Sequence, residues 1–174
     1  GLLALALLQT NAVFTTGVIL VPFCAGMIWK AAKERYSNSP HKLLFQIVFS
    51  GAFILLCAAL WYAIYKMPFM QGVVSYPWPP FGSLRQEFVN VLVLSYCNSP
   101  AQPLLGLLVL LGIGYLLTKR ENRWLVVAYG ITCFLCFVAA SGSGDIRSLF
   151  VGFWYTDSYR IAAMAALAGI PLAV

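Results

Sequence analysis

The chain has 174 residues, of which 61% are hydrophobic and 9% charged, with a formal net charge of +6. A water-soluble domain carries about a quarter charged residues, so this composition excludes one and points to an integral membrane protein. The positive balance is not a nucleic-acid footprint, because no RNP-like motif, zinc-finger spacing or basic helix accompanies it.

Gly1 to Leu8 reads as the tail of a membrane span. It has no basic leader and no small-residue cleavage site, so it is not read as a signal peptide. The chain also ends in an apolar run, Ile161 to Val174, and both ends are expected to belong to a longer membrane protein. The polar triplet Gln9, Thr10, Asn11 breaks the first run. Thr10 or Asn11 can cap the next helix by accepting from free backbone N–H groups. That helix is predicted over about Ala12 to Trp29, kinked at Pro22, whose ring crowds the preceding turn.

A polar break, about residues 30–42, follows, and a second span is predicted over about Leu43 to Tyr65. Crossing about 30 Å of hydrocarbon takes roughly 20 residues. The next break, about residues 66–99, is long. Its SYPWPPFG stretch (Ser75 to Gly82) cannot be a regular helix and could act as a lid. Leu84 to Leu94 then gives about three helical turns, too short to span, and reads as an interfacial or re-entrant helix with Arg85 and Glu87 on its solvated edge. A third span, about Ala101 to Leu117, carries Gly106, Gly112 and Gly114, which permit close helix packing. The break at about residues 118–123 contains KRENR. A fourth span, Trp124 to Ala140, a break at about residues 141–157 and a final run from Ser158 complete the chain. The fold expected is an all-α polytopic transmembrane bundle, one transmembrane domain over residues 1–174, with about four complete spans and two truncated ones.

Basic residues sort the breaks. Lys30, Lys33, Arg35 and Lys42 fall in one, and Lys119, Arg120 and Arg123 in another. Two spans separate them, so they share a side, and the positive-inside rule makes that side cytoplasmic. The breaks at about residues 66–99 and 141–157 then face outward in a cell membrane. Of the five cysteines, Cys24, Cys57, Cys133 and Cys136 lie in apolar runs, where Cys behaves as a small hydrophobe. The Cys133/Cys136 spacing has no second pair and apolar flanks, so it is not read as a redox or zinc motif. His41 is the only histidine and lies on the cytoplasmic side, which excludes a Ser–His–Asp set at the outer face.

The last outer break concentrates the polar chemistry. SGSGD (Ser141 to Asp145) can turn sharply and offer N–H groups to an anion, or be a plain turn with Asp145 capping a short helix. In FWYTDSYR (Phe153 to Arg160), Asp157 and Arg160 stand three apart, on one helical face. Asp157 can cap the final helix while Arg160 snorkels to the interface. A cation in a first helical turn is disfavoured by the helix dipole, however, so Arg160 calls for a carboxylate partner or a phosphate. Trp154, Tyr155 and Tyr159 could stack on a sugar, line an isoprenoid chain, or form an aromatic belt. Glu87, Asp145 and Asp157 could in principle share a divalent metal, though no metal constellation is visible.

The FWYTDSYR segment with its following apolar helix, the QTNAVF stretch (Gln9 to Phe14) and the long outer loop with its short helix resemble an actinobacterial family of multi-pass membrane proteins, itself similar to the GT-C membrane glycosyltransferases. The resemblance implies transfer of a sugar from a polyprenyl-phosphate carrier at the outer face of the cell envelope's membrane. It implies a substrate-holding role for Asp157, Arg160, Tyr155, Tyr159, Trp154 and Asp145, with Arg160 on the lipid phosphate. GT-C enzymes typically carry an acidic pair in their first outer loop; no adjacent acidic pair occurs here, and the catalytic acid is expected outside these residues. A transporter or flippase for an envelope precursor, and a non-catalytic membrane scaffold, are the alternatives. The transporter predicts charged residues deep within spans, and none is found there.

Overall fold

The computed structural model describes residues 10–76 and 78–174, and every regular element among them is helical. Gly1 to Leu8 and Gln9 lie outside the described residues. Helix α1 covers Thr10–Arg35 and α2 covers Lys42–Lys66. A 3₁₀ turn, Pro68–Met70, leads into the short α3, Gln71–Val74. Then come α4 (Leu84–Leu92), a 3₁₀ turn at Tyr96–Asn98, α5 (Pro103–Thr118) and α6 (Arg123–Ser141). Helix α7 (Gly144–Val151), a 3₁₀ turn at Gly152–Trp154 and α8 (Ser158–Ala173) close the chain.

Three helices, α1, α2 and α6, are long and apolar enough to cross a membrane. The predicted spans at α5 and α8 form apolar helices of 16 residues each, about 24 Å long at 1.5 Å per residue. Helix α1 runs past its predicted end and continues through Pro22.

The exposure pattern of α2 explains its solvent. Its buried residues, Gln46, Ser50 and Tyr65, all carry polar atoms, while Leu43, Ile47, Leu55 and Leu56 lie exposed. Water would invert that arrangement. Hydrocarbon favours it, because a polar side chain there needs a protein partner and a leucine does not. Ser50 Oγ accordingly donates to the Ala25 carbonyl across the α1–α2 hairpin at 3.5 Å.

Helix α6 is the hub, packed by α1, α4, α5, α7 and α8. Ala128, Thr132, Leu135, Cys136 and Ala139 recur at helical spacing on its buried side. Glycines set two of the closest approaches. A Cβ at Gly112 would collide with the Leu172 carbonyl of α8, and one at Gly106 with the Leu92 carbonyl of α4, whereas Gly114 faces open space.

An aromatic cluster ties α1 and α2 to the chain after α7. Phe14 stacks on Phe153 at 4.0 Å between centroids, and Trp61 meets Phe153 edge-on at 4.6 Å. Trp61 donates its indole N–H to the Leu149 carbonyl at 2.8 Å. At the other end, Phe23 of α1 meets Trp124 in the first turn of α6 at 5.2 Å. Helices α1 and α6 therefore run antiparallel. The basic C-terminal turns of α1 and the Lys119–Arg123 break share one end of the bundle, and the 67–99 and 142–157 segments occupy the other.

Candidate functional site

The polar end of the bundle is built around residues 152–160. After the 3₁₀ turn, Tyr155 and Thr156 take left-handed backbone angles, φ 61° and 52°. Such a conformation costs a non-glycine residue on the order of 1 kcal/mol or more, so neighbours must hold it. Thr156 Oγ1 donates to the Tyr76 carbonyl at 2.9 Å and accepts from the Trp78 N–H at 3.2 Å. Gly152 lets α3 in: a Cβ there would sit 2.8 Å from the Val74 carbonyl oxygen.

Asp157 then turns extended and caps α8. Its Oδ1 accepts from the Tyr159 N–H at 2.9 Å, and its Oδ2 receives Arg160 Nε at 3.2 Å. The guanidinium also lies 5.1 Å from the Tyr155 ring centroid. A first-turn cation is thus offset by a carboxylate and an aromatic face. The Arg160 side chain stays 46% exposed, so the paired charge still faces outward. Tyr155 is half-buried, its ring edge-on to Tyr76, and Tyr159 is exposed.

Trp154 is a correction to the sequence reading. It is 1% exposed, with Phe14 and Trp61 around its ring and its indole N–H donated to Thr15 Oγ1 at 2.9 Å. It holds α1 against the turn and has no face left for a sugar. Asp145 is exposed in the first turn of α7 and takes no part in the Asp157–Arg160 pair; the helix starts two residues earlier than expected, at Gly144, with φ +58°. At the end of the SYPWPPFG stretch, Phe81 and Gly82 both donate to the Ala140 carbonyl at 3.1 Å.

Arg147 is the residue that sequence reasoning missed. It is 6% exposed, and its guanidinium donates to the carbonyls of Trp78, Pro79, Ala139 and Thr156. No carboxylate pairs with it among the described residues, and its Nε is buried without a partner. Burial pulls its pKa below the usual arginine value. An arginine directly after Ile146 and close before the apolar run Leu149 to Val151 was the available signal. Ser158 Oγ, at the start of α8, is likewise buried and unpartnered.

Glu87 is a second correction. Expected on the solvated edge of α4, it is 2% exposed, while Arg85 is exposed. Glu87 and Asn90, three residues apart, form the face that packs on the bundle. Asn90 Nδ2 donates to Glu87 Oε2 at 3.1 Å and approaches Asn98 Oδ1 at 3.2 Å; Gln86 Nε2 donates to the same oxygen at 3.0 Å. The turn that supplies Asn98 is also left-handed, at Leu94, Cys97 and Asn98. Cys97 lies within electrostatic reach of both Glu87 and Asp157; burial first, then those two carboxylates, push its thiol up to about 11. Glu87, Asp145 and Asp157 are not brought together. Among the described residues no three His, Cys, Asp or Glu side chains are placed to hold a metal ion.

A cleft of about 250 Å³ opens between α4, α5 and α6, lined by Val91, Val109, Ile113, Tyr129 and Cys133 among others. Tyr129, one of the lining residues, has its hydroxyl bound to Tyr96 Oη at 3.1 Å.

The chain belongs to DUF6541, a family of unknown function, whose pattern matches residues 1–174. No curated protein and no solved structure matches it.

Proposed function

We propose that this protein is a GT-C-like glycosyltransferase of the cell envelope, acting on polyprenyl-phosphate-linked sugars at the outer face of the membrane. The observation that carries the reading is Arg160. It is an outward-facing cation in the first turn of α8, held by Asp157 at 3.2 Å and by the Tyr155 ring. A guanidinium fixed in direction but still exposed suits a phosphate, which can add to its free N–H groups without displacing the carboxylate. It lies at the end of the bundle opposite the basic breaks, the end that the positive-inside rule assigns to the outside. Tyr155 and Tyr159 offer ring surface beside it, and Asp145 an exposed carboxylate on the neighbouring helix.

In the reaction, an acceptor hydroxyl attacks the anomeric carbon, and the bond from that carbon to the phosphate oxygen breaks. Polyprenyl phosphate leaves with the bonding electrons, and a general base takes the hydroxyl proton. Arg160 stabilises the charge that grows on the leaving phosphate.

The test uses full-length protein in lipid nanodiscs with a panel of polyprenyl-phosphate sugars. Release of free polyprenyl phosphate that falls in Arg160→Ala is the expected result. No release and no binding of any such lipid would overturn the reading and favour transport or a scaffold.

A further inference from the structure

Glu87 sits in an unusual place for a carboxyl group. It is 2% exposed, on the inward face of α4, and Asn90 Nδ2 is its sole hydrogen-bond donor among the described residues. No cation lies against it, since the one ion pair among the described residues joins Arg160 to Asp157. A buried carboxylate without a countercharge is expensive; in practice such a group keeps its proton.

We propose that Glu87 is a proton-binding site at the polar end of the bundle, its carboxyl neutral in the resting protein and able to lose that proton as the pH rises. The surroundings support this from every packed side. From α6, Cys133 and Cys136 are within reach of its charge. From the 96–98 turn comes the Cys97 thiol, which also feels Asp157. Helix α5, packed on the far end of α4, contains no Asp, Glu, Lys, Arg or His. On α4 itself, Arg85 points to the exposed side. Each neighbour is neutral or acidic, and none compensates a negative charge.

Burial pushes the Glu87 pKa above its ordinary 4.5, and the Asn90 hydrogen bond opposes this more weakly. The amide net couples Glu87 to the 96–98 turn. Asn98 Oδ1 gathers N–H groups from Gln86 and Asn90, so a ligand that draws Asn98 away loosens the group that holds Glu87 Oε2. The left-handed turn at Leu94, Cys97 and Asn98 is the piece that would move. This inference does not depend on the transferase reading.

Dicyclohexylcarbodiimide, which attacks protonated carboxyls in apolar surroundings, is the probe. Full-length protein in nanodiscs is treated at several pH values and the peptides are read by mass spectrometry. The expected result is an adduct on Glu87 that is strong at low pH and fades as the pH rises through the folded pKa, which lies above 4.5. Above the midpoint it falls roughly tenfold per pH unit. Glu87→Gln should lose the adduct. As a neutral isostere, it should also keep the parent's thermal midpoint below pH 4.5 and abolish the parent's loss of stability at higher pH. The sign follows from the raised pKa. The folded state holds the proton more tightly, so parent stability is full below 4.5 and declines as pH rises through the folded pKa. No adduct at any pH or, below pH 4.5, a Glu87→Gln midpoint well below the parent's would overturn the proposal. Both readouts are independent of sugar transfer, so failure of one idea is distinguishable from failure of the other.

Discussion

Arg147→Met removes the guanidinium that pins the outer segment and leaves a side chain of similar length. Two of the carbonyls it holds, Trp78 and Pro79, belong to the SYPWPPFG stretch, and a third, Thr156, belongs to the strained turn. Hydrogen bonds from a charged donor contribute about 1.5–3 kcal/mol each. The Pro79 bond is long, at 3.4 Å, so the low end applies, and the two loop bonds together give about 3 kcal/mol. Rehydration of the freed guanidinium in the parent trims this toward the same low end. At about 1.4 kcal/mol per factor of ten, local opening becomes about 100-fold more frequent. Amide hydrogen exchange reads this directly, because the N–H groups of Trp78, Phe81 and Gly82 are bonded to Thr156 Oγ1 and the Ala140 carbonyl. Exchange of the peptide covering these amides should accelerate by about that factor while α2 is unchanged. Arg147→Lys should fall between, since an ammonium keeps the charge but not the planar fork. Parent-like protection in Arg147→Met would refute the idea that Arg147 anchors the segment.

Gly152→Ala should lower thermal stability by about 1–3 kcal/mol through overpacking, because the new methyl meets the Val74 backbone, whereas Gly114→Ala, facing open space, should be neutral; equal midpoints for the two variants would contradict the close approach of α3. Arg160→Ala should weaken polyprenyl-phosphate binding while changing stability by less than about 1 kcal/mol, as expected for an exposed ion pair, and isothermal titration against thermal unfolding separates the two. Asp157→Asn combined with Arg160→Ala should show a non-additive effect on that binding; strict additivity would mean the pair does not act as a unit. In a cysteine-free background, Asp145→Cys should react with an impermeant thiol reagent in intact cells and Glu34→Cys should not. The reverse pattern would invert the proposed orientation.

Much of the secondary structure was legible because it depends on local rules. The breaks between apolar runs marked helix ends to within a few residues for α2, α6 and α8. The three-residue spacing of Asp157 and Arg160 gave their pairing, since both belong to one helical turn and need no distant partner. Helix α1 overran its expected end because its amphipathic last turns, KAAKER, are as helix-prone as the apolar run before them. The α4 segment reads as a short helix in the sequence, and Arg85 is exposed as expected, but Glu87 faces the bundle. A Glu and an Asn on one face look solvated, and only the packing of α6 and the 96–98 turn against them shows otherwise.

The sequence by itself determined a helical chain suited to lipid, the alternation of its basic breaks and the cap on α8, because hydropathy and helical periodicity act over a few residues. The tertiary structure alone decided that Trp154 is packing and not a ligand face, that Arg147 is a four-carbonyl clamp and that Glu87 is buried without a cation. Each of those depends on partners far along the chain: Thr15 for Trp154, Trp78 for Arg147, Cys133 and Cys136 for Glu87. Side chains distant in sequence meet only when helices pack, and burial, which sets both the cost of a charge and the access of a ligand, is a property of that packing.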